Sequence, residues 1–294
     1  MVGMRVGLIR GPGRAALAWL MALSVSGLAG CEVGRAASSS TSASGRTNGP
    51  PETPVRVLQL NLCNSGRAAC YTGGRAVGIA VALVHQHRPD MVTVNEACRD
   101  DVGVLKQAMA STRPAGAIAS AFAPAKARPG QAPVLCQNGQ QFGDAVLVRV
   151  PSSTRDVRSF SGVYPVQAFN DTEERVWACI DLAGQFSACT THTASTDATV
   201  ALEQCRYLLT SVVPGVSRRS GGAPIILGAD LNLPARGSPS ASACLPSGYQ
   251  RTDDDAVQNV VASPGAEMRS RSVLDMRGTT DHPGLLVDLA LPGR

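Results

Sequence analysis

Lysine is scarce in this chain. Among 294 residues only Lys106 and Lys126 occur, against many arginines, a bias that suits a GC-rich coding sequence better than a functional demand. A basic excess is lacking too. The formal charge is +5, but Arg5, Arg10 and Arg14 fall in a segment expected to be removed, and no acidic residue precedes Cys31. Without those three arginines the charge falls from +5 to +2. That is not the basic footprint of a protein that grips long nucleic acid. No two cysteines stand at the C-x-x-C spacing of a zinc knuckle, which argues against thiolate metal sites. Nor is there an internal repeat at a fixed short period, so a solenoid is not expected.

What is present is enough for a core. Hydrophobic residues make up 44% and charged residues 17% of the chain. The length suits one large domain or two small ones. Residues 1–30 read as a lipoprotein signal peptide: three arginines open it, and Ala15 to Val25 is apolar but short for a bilayer span. Leu28-Ala-Gly-Cys31 matches a lipobox, in which cleavage before Cys31 leaves its thiol to carry the lipid. The plainer alternative is an ordinary secretory signal with a coincidental cysteine. The expected location is outside the cell, on the outer face of the membrane, held there by the lipid alone. Residues 31–53, rich in Ser, Thr, Ala, Gly and Pro, read as a flexible tether. Residues 54–294 are expected to form the folded domain, as a monomer.

With Cys31 lipidated, eight cysteines remain. An even number in an exported chain favours four disulfides over metal binding. Cys179 and Cys189 flank a segment that reads as a hairpin turning near Gly184, and a three-residue loop there sets them opposite each other. Cys63–Cys70 would close a short loop after the first strand. Cys98–Cys136 and Cys205–Cys244 are then the simplest pairing of the rest, with connectivity otherwise open.

Strands are expected at Val55–Leu62, Asp90–Asn95, Asp144–Val150, Val176–Leu182, Gln185–Thr191, Pro224–Asp230, Val257–Ser263 and Leu285–Leu291. Helices are expected at Arg75–His87 and Thr196–Val212, and long loops at Gln131–Gln141 and Arg236–Asp253. Many hairpin-length strands with few helices predict an α+β fold of two stacked, mostly antiparallel sheets with helices outside.

Five stretches carry chemistry at the ends of apolar runs: Val57-Leu-Gln-Leu-Asn61, Asp90-Met-Val-Thr-Val-Asn-Glu96, Cys189-Thr-Thr-His192, Ile225-Ile-Leu-Gly-Ala-Asp230-Leu-Asn232 and Thr279-Thr-Asp281-His282. If the fourth strand persists to Asn232, period two puts Asp230 and Asn232 on one face, able to align a water and grip an oxyanion. The plainer alternative is an Asx-turn. In this order and spacing the five resemble the endonuclease/exonuclease/phosphatase superfamily, the deoxyribonuclease-I-like fold, from Val55 to Leu291. The resemblance implies a four-layer α/β sandwich and a phosphoester hydrolase working with Mg²⁺, or with Mn²⁺ or Ca²⁺ in its place. Its substrate would be a nucleic acid, a phospholipid headgroup or an inositol phosphate.

Each candidate residue has a part in that resemblance and a plainer role beside it. Glu96 ends an inner strand, where a carboxylate needs a partner, and a hard cation is a natural one. Asn61 and Asp281 are implied as further metal ligands; a turn cap is the alternative for Asn61. Of four histidines, His85 and His87 sit at a helix end as solvated or capping residues. His192 is implied to hold phosphoryl oxygens or protonate the leaving group, and His282 to take the proton from the attacking water. Asp230 and Asn232 complete the catalytic set. Arg175 suits either a phosphate or a surface salt bridge with Glu173 or Glu174. Gln258 stands where the family has an Asp that orients the last histidine, with Asp253, Asp254 or Asp255 as substitutes after a register shift. Asp144 stands where the family commonly has Asn. A contrasting reading is a non-catalytic surface lipoprotein that binds a ligand in a decayed site; Gln258 speaks mildly for it.

Overall fold

The computed structural model describes residues 51–113, 116–154 and 156–293. The expected signal peptide, Cys31 and the tether up to residue 50 lie outside these. Strand β1 (Thr53–Asn61) shows how the sequence builds the interior. Val55 and Val57 point into an apolar cluster shared with Ile180, Leu182 and Ile226 of a second sheet. Leu58 and Leu60, on the other face, pack against Ala76, Ala80 and Leu83 of a covering helix. This is the period-two alternation of a strand between two layers. Further along the inward face, Gln59 and Asn61 replace valine. The interior is therefore apolar at one end of the strands and polar at the other.

The remaining elements are α1 (Arg75–His87), β2 (Met91–Cys98), α2 (Arg99–Thr112), β3 (Ile118–Pro124), β4 (Phe142–Arg149), β5 (Val157–Val163), β6 (Val176–Leu182), β7 (Phe186–His192), α3 (Ala198–Tyr207), α4 (Val213–Arg219), β8 (Ile225–Asp230), β9 (Gln250–Asp253), β10 (Gln258–Ala262), β11 (Glu267–Leu274) and β12 (Gly284–Leu291). They form two six-stranded sheets, ordered β11-β12-β1-β2-β4-β3 and β5-β6-β7-β8-β10-β9. Only β1/β2 and β7/β8 pair in parallel; every other named pair is antiparallel. Helices α1 and α2 cover the outer face of the first sheet, and α3 with α4 that of the second. The expected α+β sandwich is thus realised in four layers.

Glycine brings the two sheets close at one point. A Cβ on Gly228 of β8 would lie 2.1 Å from Thr93 Oγ1 and 3.1 Å from Gln59 Oε1, so no larger residue fits. All eight described cysteines pair as Cys63–Cys70, Cys98–Cys136, Cys179–Cys189 and Cys205–Cys244. Cys179 and Cys189 are direct partners across β6 and β7, and the turn between the strands holds Gly184 in a left-handed conformation at φ 76°. Each bridge typically adds ~2–4 kcal/mol.

Several expectations need correction. The helix expected over Thr196–Val212 starts at Ala198, capped by the Asp197 carboxylate on the N–H groups of Thr199 and Val200. It then widens into one π-helical turn over Leu208–Val212 and continues as α4 to Arg219. The wide turn shifts the hydrogen-bond register where Pro214 has no N–H to give. The expected loop Arg236–Asp253 contains a 3₁₀ turn at Ala241–Cys244 and strand β9. Helix α2 and strands β3, β5 and β11 were not foreseen. The last two are mostly exposed strands, and exposed strands lack an apolar alternation to betray them.

Candidate active site

The candidate residues gather where the polar end of the interior opens. Strands β1 and β2 run in parallel, with Asn61 opposite Asn95, and β7 and β8 do the same in the other sheet, with His192 opposite Asp230. Both parallel pairs deliver their carboxyl-terminal residues to one edge of the sandwich. The segment before β12 adds Asp281 and His282. Glu96, His192, Asn232, Asp281 and His282 line a single cleft of about 880 Å³. A second groove, of about 680 Å³ between α2, β3 and β5, holds none of the predicted site residues.

Asp230 lies at the centre, fully buried. Its Oδ2 accepts Gln258 Nε2 at 2.6 Å and Asn61 Nδ2 at 3.1 Å, and its Oδ1 accepts the Asn232 backbone N–H at 3.1 Å. Three N–H donors offset much of the cost of burying a carboxylate. The same Oδ2 lies 3.7 Å from His282 Nε2 and 4.0 Å from His192 Nε2. Both histidines therefore meet over one carboxylate. Strand β8, however, stops at Asp230, and Asn232 turns into the left-handed region at φ 46°, which Asn tolerates. Asp230 and Asn232 do not share a strand face; the Asx-turn is what forms. Asn232 still reaches the cleft, with Nδ2 donating to the Thr193 carbonyl at 2.8 Å.

Asn61 takes a part other than the expected one. Its Oδ1 accepts the Cys63 backbone N–H at 3.0 Å, and a backbone N–H can only donate, so the orientation of the amide is settled. Its Nδ2 faces Glu96 Oε1 at 3.0 Å and Asp230. Asn61 thus clamps two carboxylates and turns its N–H groups, not its oxygen, to the metal side. Gln258 also departs from expectation. Its amide is spent on Asp230 and on Gln59, whose Nε2 it accepts at 2.9 Å. It orients Asp230 and not His282. Arg175 is buried in place of forming a surface pair: Nε meets Asp171 at 2.8 Å, NH1 reaches Glu173 at 3.2 Å and NH2 donates to Ser195 at 2.9 Å.

Glu96 projects out of the strand. It sits where β2 bulges against β4, at φ 53°, a conformation costing a residue with a Cβ about 1–2 kcal/mol. It forms no salt bridge among the described residues, and Asn61 is its hydrogen-bond donor. Asp281, on the other side of the cleft, is 57% exposed, with Oδ1 3.6 Å from His282 Nε2. Its carboxylate lies within 4.8 Å of the Cys63 and Cys70 sulfurs, but these are joined in a disulfide and are not thiolate donors. Two hard carboxylates without arginine or lysine partners therefore face one cleft. That donor set suits a divalent cation such as Mg²⁺.

Burial pushes the His192 imidazole below its ordinary value, with nearby Arg175 adding to the effect, against Asp230 and Glu96. A neutral ring results near pH 7. Burial lifts the Asp144 carboxyl to about 7, although Asn95 Nδ2 donates to it at 3.0 Å. Asn95 points into the interior, on the side to which the bulge also brings the Glu96 carboxylate to meet Asn61. Asn95 accepts Gln59 Nε2 at 2.7 Å and the Asp230 backbone N–H at 3.1 Å. Gln59 and Thr93, which bond each other in this layer, were passed over. Their signal was available: each is a polar residue on the inward period of an otherwise apolar strand.

No protein-family model matches this chain, and no curated protein matches it. Many solved structures do. An endonuclease/exonuclease/phosphatase from Beutenbergia cavernae is 19% identical with a TM-score of 0.60, covering 81% of this chain and 72% of its own. A family protein of the same kind from Bacteroides thetaiotaomicron is 15% identical with a TM-score of 0.57, covering 82% and 99%. The chain has the endonuclease/exonuclease/phosphatase fold. Among the particular proteins that share it is a mannosyl-6-phosphatase of Bacteroides thetaiotaomicron, at 15% identity and a TM-score of 0.57, covering 80% of this chain and 99% of that one.

Proposed function

We propose that this chain is a divalent-cation-dependent phosphoester hydrolase. The observation that carries the reading is the convergence of Glu96, Asp281, His192 and His282 on one cleft, with Asp230 buried beneath both imidazoles. Glu96 and Asp281 would hold the ion, which when bound neutralises charge on the phosphate and the leaving oxygen. Asn61 holds Glu96 and Asp230 in register. The 3.7 Å between Asp230 Oδ2 and His282 Nε2 is too long for a direct bond. His282, which lines the cleft above Asp230, would take the proton of an attacking water, with the buried carboxylate polarising its ring. Neutral His192 donates its ring N–H to a phosphoryl oxygen, and Asn232 offers the N–H that Thr193 does not use. The mannosyl-6-phosphatase of the same fold supports phosphoester chemistry.

The test is hydrolysis of a panel of phosphoesters by the purified protein with and without Mg²⁺. Metal-dependent turnover supports the reading. Ligand binding without turnover on any of them would favour the alternative of a non-catalytic lipoprotein. We further propose export and lipidation at Cys31, supported by the lipobox and by the pairing of all eight other cysteines. Cys31→Ser should move the protein from the membrane fraction to the soluble exported fraction; a wild-type chain already soluble would contradict it.

A further inference from the structure

The charges lining the cleft are unevenly matched. Glu96, Asp171, Glu173 and Asp281 face only two arginines, Arg67 and Arg175. Arg175 is consumed by Asp171 and Glu173, with its side chain 7% exposed. Neither lysine lines the cleft. Arg67 alone is exposed and forms no salt bridge among the described residues.

The segment carrying Arg67 is tied down on several sides. The Cys63–Cys70 disulfide closes it. The Asn64 N–H donates to the Glu96 carbonyl at 2.9 Å, and the Gln137 N–H to the Ser65 carbonyl at 2.8 Å. The Arg67 N–H donates to Ser65 Oγ at 3.2 Å, and Thr72 Oγ1 to the Thr279 carbonyl at 2.7 Å. The loop is therefore bonded both to the Glu96 peptide and to the segment that leads into Asp281 and His282. A free cation on so short a leash is held ready for an anion.

Another part of the lining is apolar. Pro133, Val134 and Leu135 contribute it, with Leu135 39% exposed. The Arg128 N–H donates to the Thr172 carbonyl at 2.8 Å, joining this loop to the one bearing Asn170. Phe169, next to Asn170, is 96% exposed. A bare phenylalanine one residue from the cleft lining gains by covering apolar surface of a ligand.

Resting on the phosphoesterase reading, we propose that the cleft selects a compact monomeric phosphoester with an apolar face. Arg67 grips a phosphate oxygen, and the Pro133–Leu135 wall, extended by Phe169, covers the organic group. Duplex DNA carries about one charge per 1.7 Å and calls for a track of unpaired cations. One free arginine among four carboxylates is no such track.

The experiment compares kcat and KM, with Mg²⁺, for glycerol phosphate, p-nitrophenyl phosphate, bis-p-nitrophenyl phosphate, a mononucleotide, a short-chain lysophospholipid and a 20-nucleotide DNA. It also measures binding of inorganic phosphate by calorimetry. Aryl, nucleotide or lysolipid monomers should exceed the 20-mer in kcat/KM by about tenfold or more, and which monomer leads identifies the source of the apolar face. Arg67→Ala should raise KM about 10–100-fold with kcat moved far less, weaken phosphate binding alike, and recover in part in Arg67→Lys. Leu135→Ser and Phe169→Ser should raise KM for the apolar substrates and leave glycerol phosphate unaffected. A kcat/KM that climbs with oligonucleotide length and falls steeply with salt would overturn the proposal, as would unchanged KM and phosphate affinity in Arg67→Ala. If the wild type hydrolyses nothing, the phosphoesterase reading fails. Phosphate affinity then still decides Arg67: a loss in Arg67→Ala upholds the grip, and no change overturns it.

Discussion

The two sheets end in the same way and do different things. Each contains one parallel pair whose carboxyl-terminal residues reach the cleft, β1/β2 in one and β7/β8 in the other. The first sheet ends in a carboxylate that leaves the interior: Glu96 adopts a left-handed backbone, projects into the cleft and takes one hydrogen bond, from Asn61. The second ends in a carboxylate that stays inside: Asp230 is fully buried and accepts three N–H groups. An under-bonded carboxylate at a cleft can take a cation, whereas a saturated one beneath two imidazoles can only orient and polarise. Asn61 belongs to the first sheet and bonds both carboxylates, so it joins the two halves.

That contrast sets the size of each expected effect. His192→Ala removes an imidazole from the end of β7 in the second sheet, and His282→Ala one from the segment that enters β12 of the first, both over Asp230. Each should lower kcat about 10²–10⁴-fold with metal affinity nearly unchanged, read by steady-state kinetics beside a Mg²⁺ titration. Equal losses of turnover and metal affinity would erase the division. Gln258→Asp should be harmful, because its partner at 2.6 Å is the Asp230 carboxylate and not His282. Two buried carboxylates in contact should cost about 3–5 kcal/mol in denaturant unfolding near pH 7. A gain in activity would mean that the residue serves His282 after all.

Asp144 gives the smallest effect, with its sign fixed by linkage. Its folded value of about 7 lies above its ordinary 3.8, so the folded chain keeps a proton that the unfolded chain releases. Stability is therefore lost as pH rises from about 4 to about 7, by up to roughly 4 kcal/mol. Asp144→Asn still accepts from Asn95. It should match the wild type near pH 4 and be more stable by about 1–4 kcal/mol at pH 8. Thermal melts at both pH values measure this; parallel curves would remove the perturbed carboxyl.

Much of the sandwich was legible because the inner strands carry their burial in their pattern. Val55, Val57, Leu58 and Leu60 alternate between two apolar layers. Strands β5 and β11 face solvent and carry no such pattern, so they were invisible. The hairpin joining Cys179 to Cys189 was readable because Gly184 marks a turn of defined length. The site was legible as a set of residues and less so as a set of bonds. Asn61 and Gln258 were singled out, but their side-chain partners lie 28 to 199 residues away, and which atom faces which depends on how the strands and sheets come together. Only a backbone N–H, that of Cys63, fixed the Asn61 amide with its N–H groups toward the carboxylates.

The central claim is that Glu96 holds the cation while Asp230 and the two histidines above it handle the proton. Calorimetric titration of Mg²⁺ or Mn²⁺ into the wild type, Glu96→Gln and Asp230→Asn, with turnover measured on the same samples, tests it most directly. The wild type should bind a divalent ion, Glu96→Gln should lose at least about tenfold in affinity, and Asp230→Asn should keep its affinity while losing about 10²-fold or more in kcat. Equal loss of metal binding in Glu96→Gln and Asp230→Asn, or no ion bound by the wild type, would contradict the account.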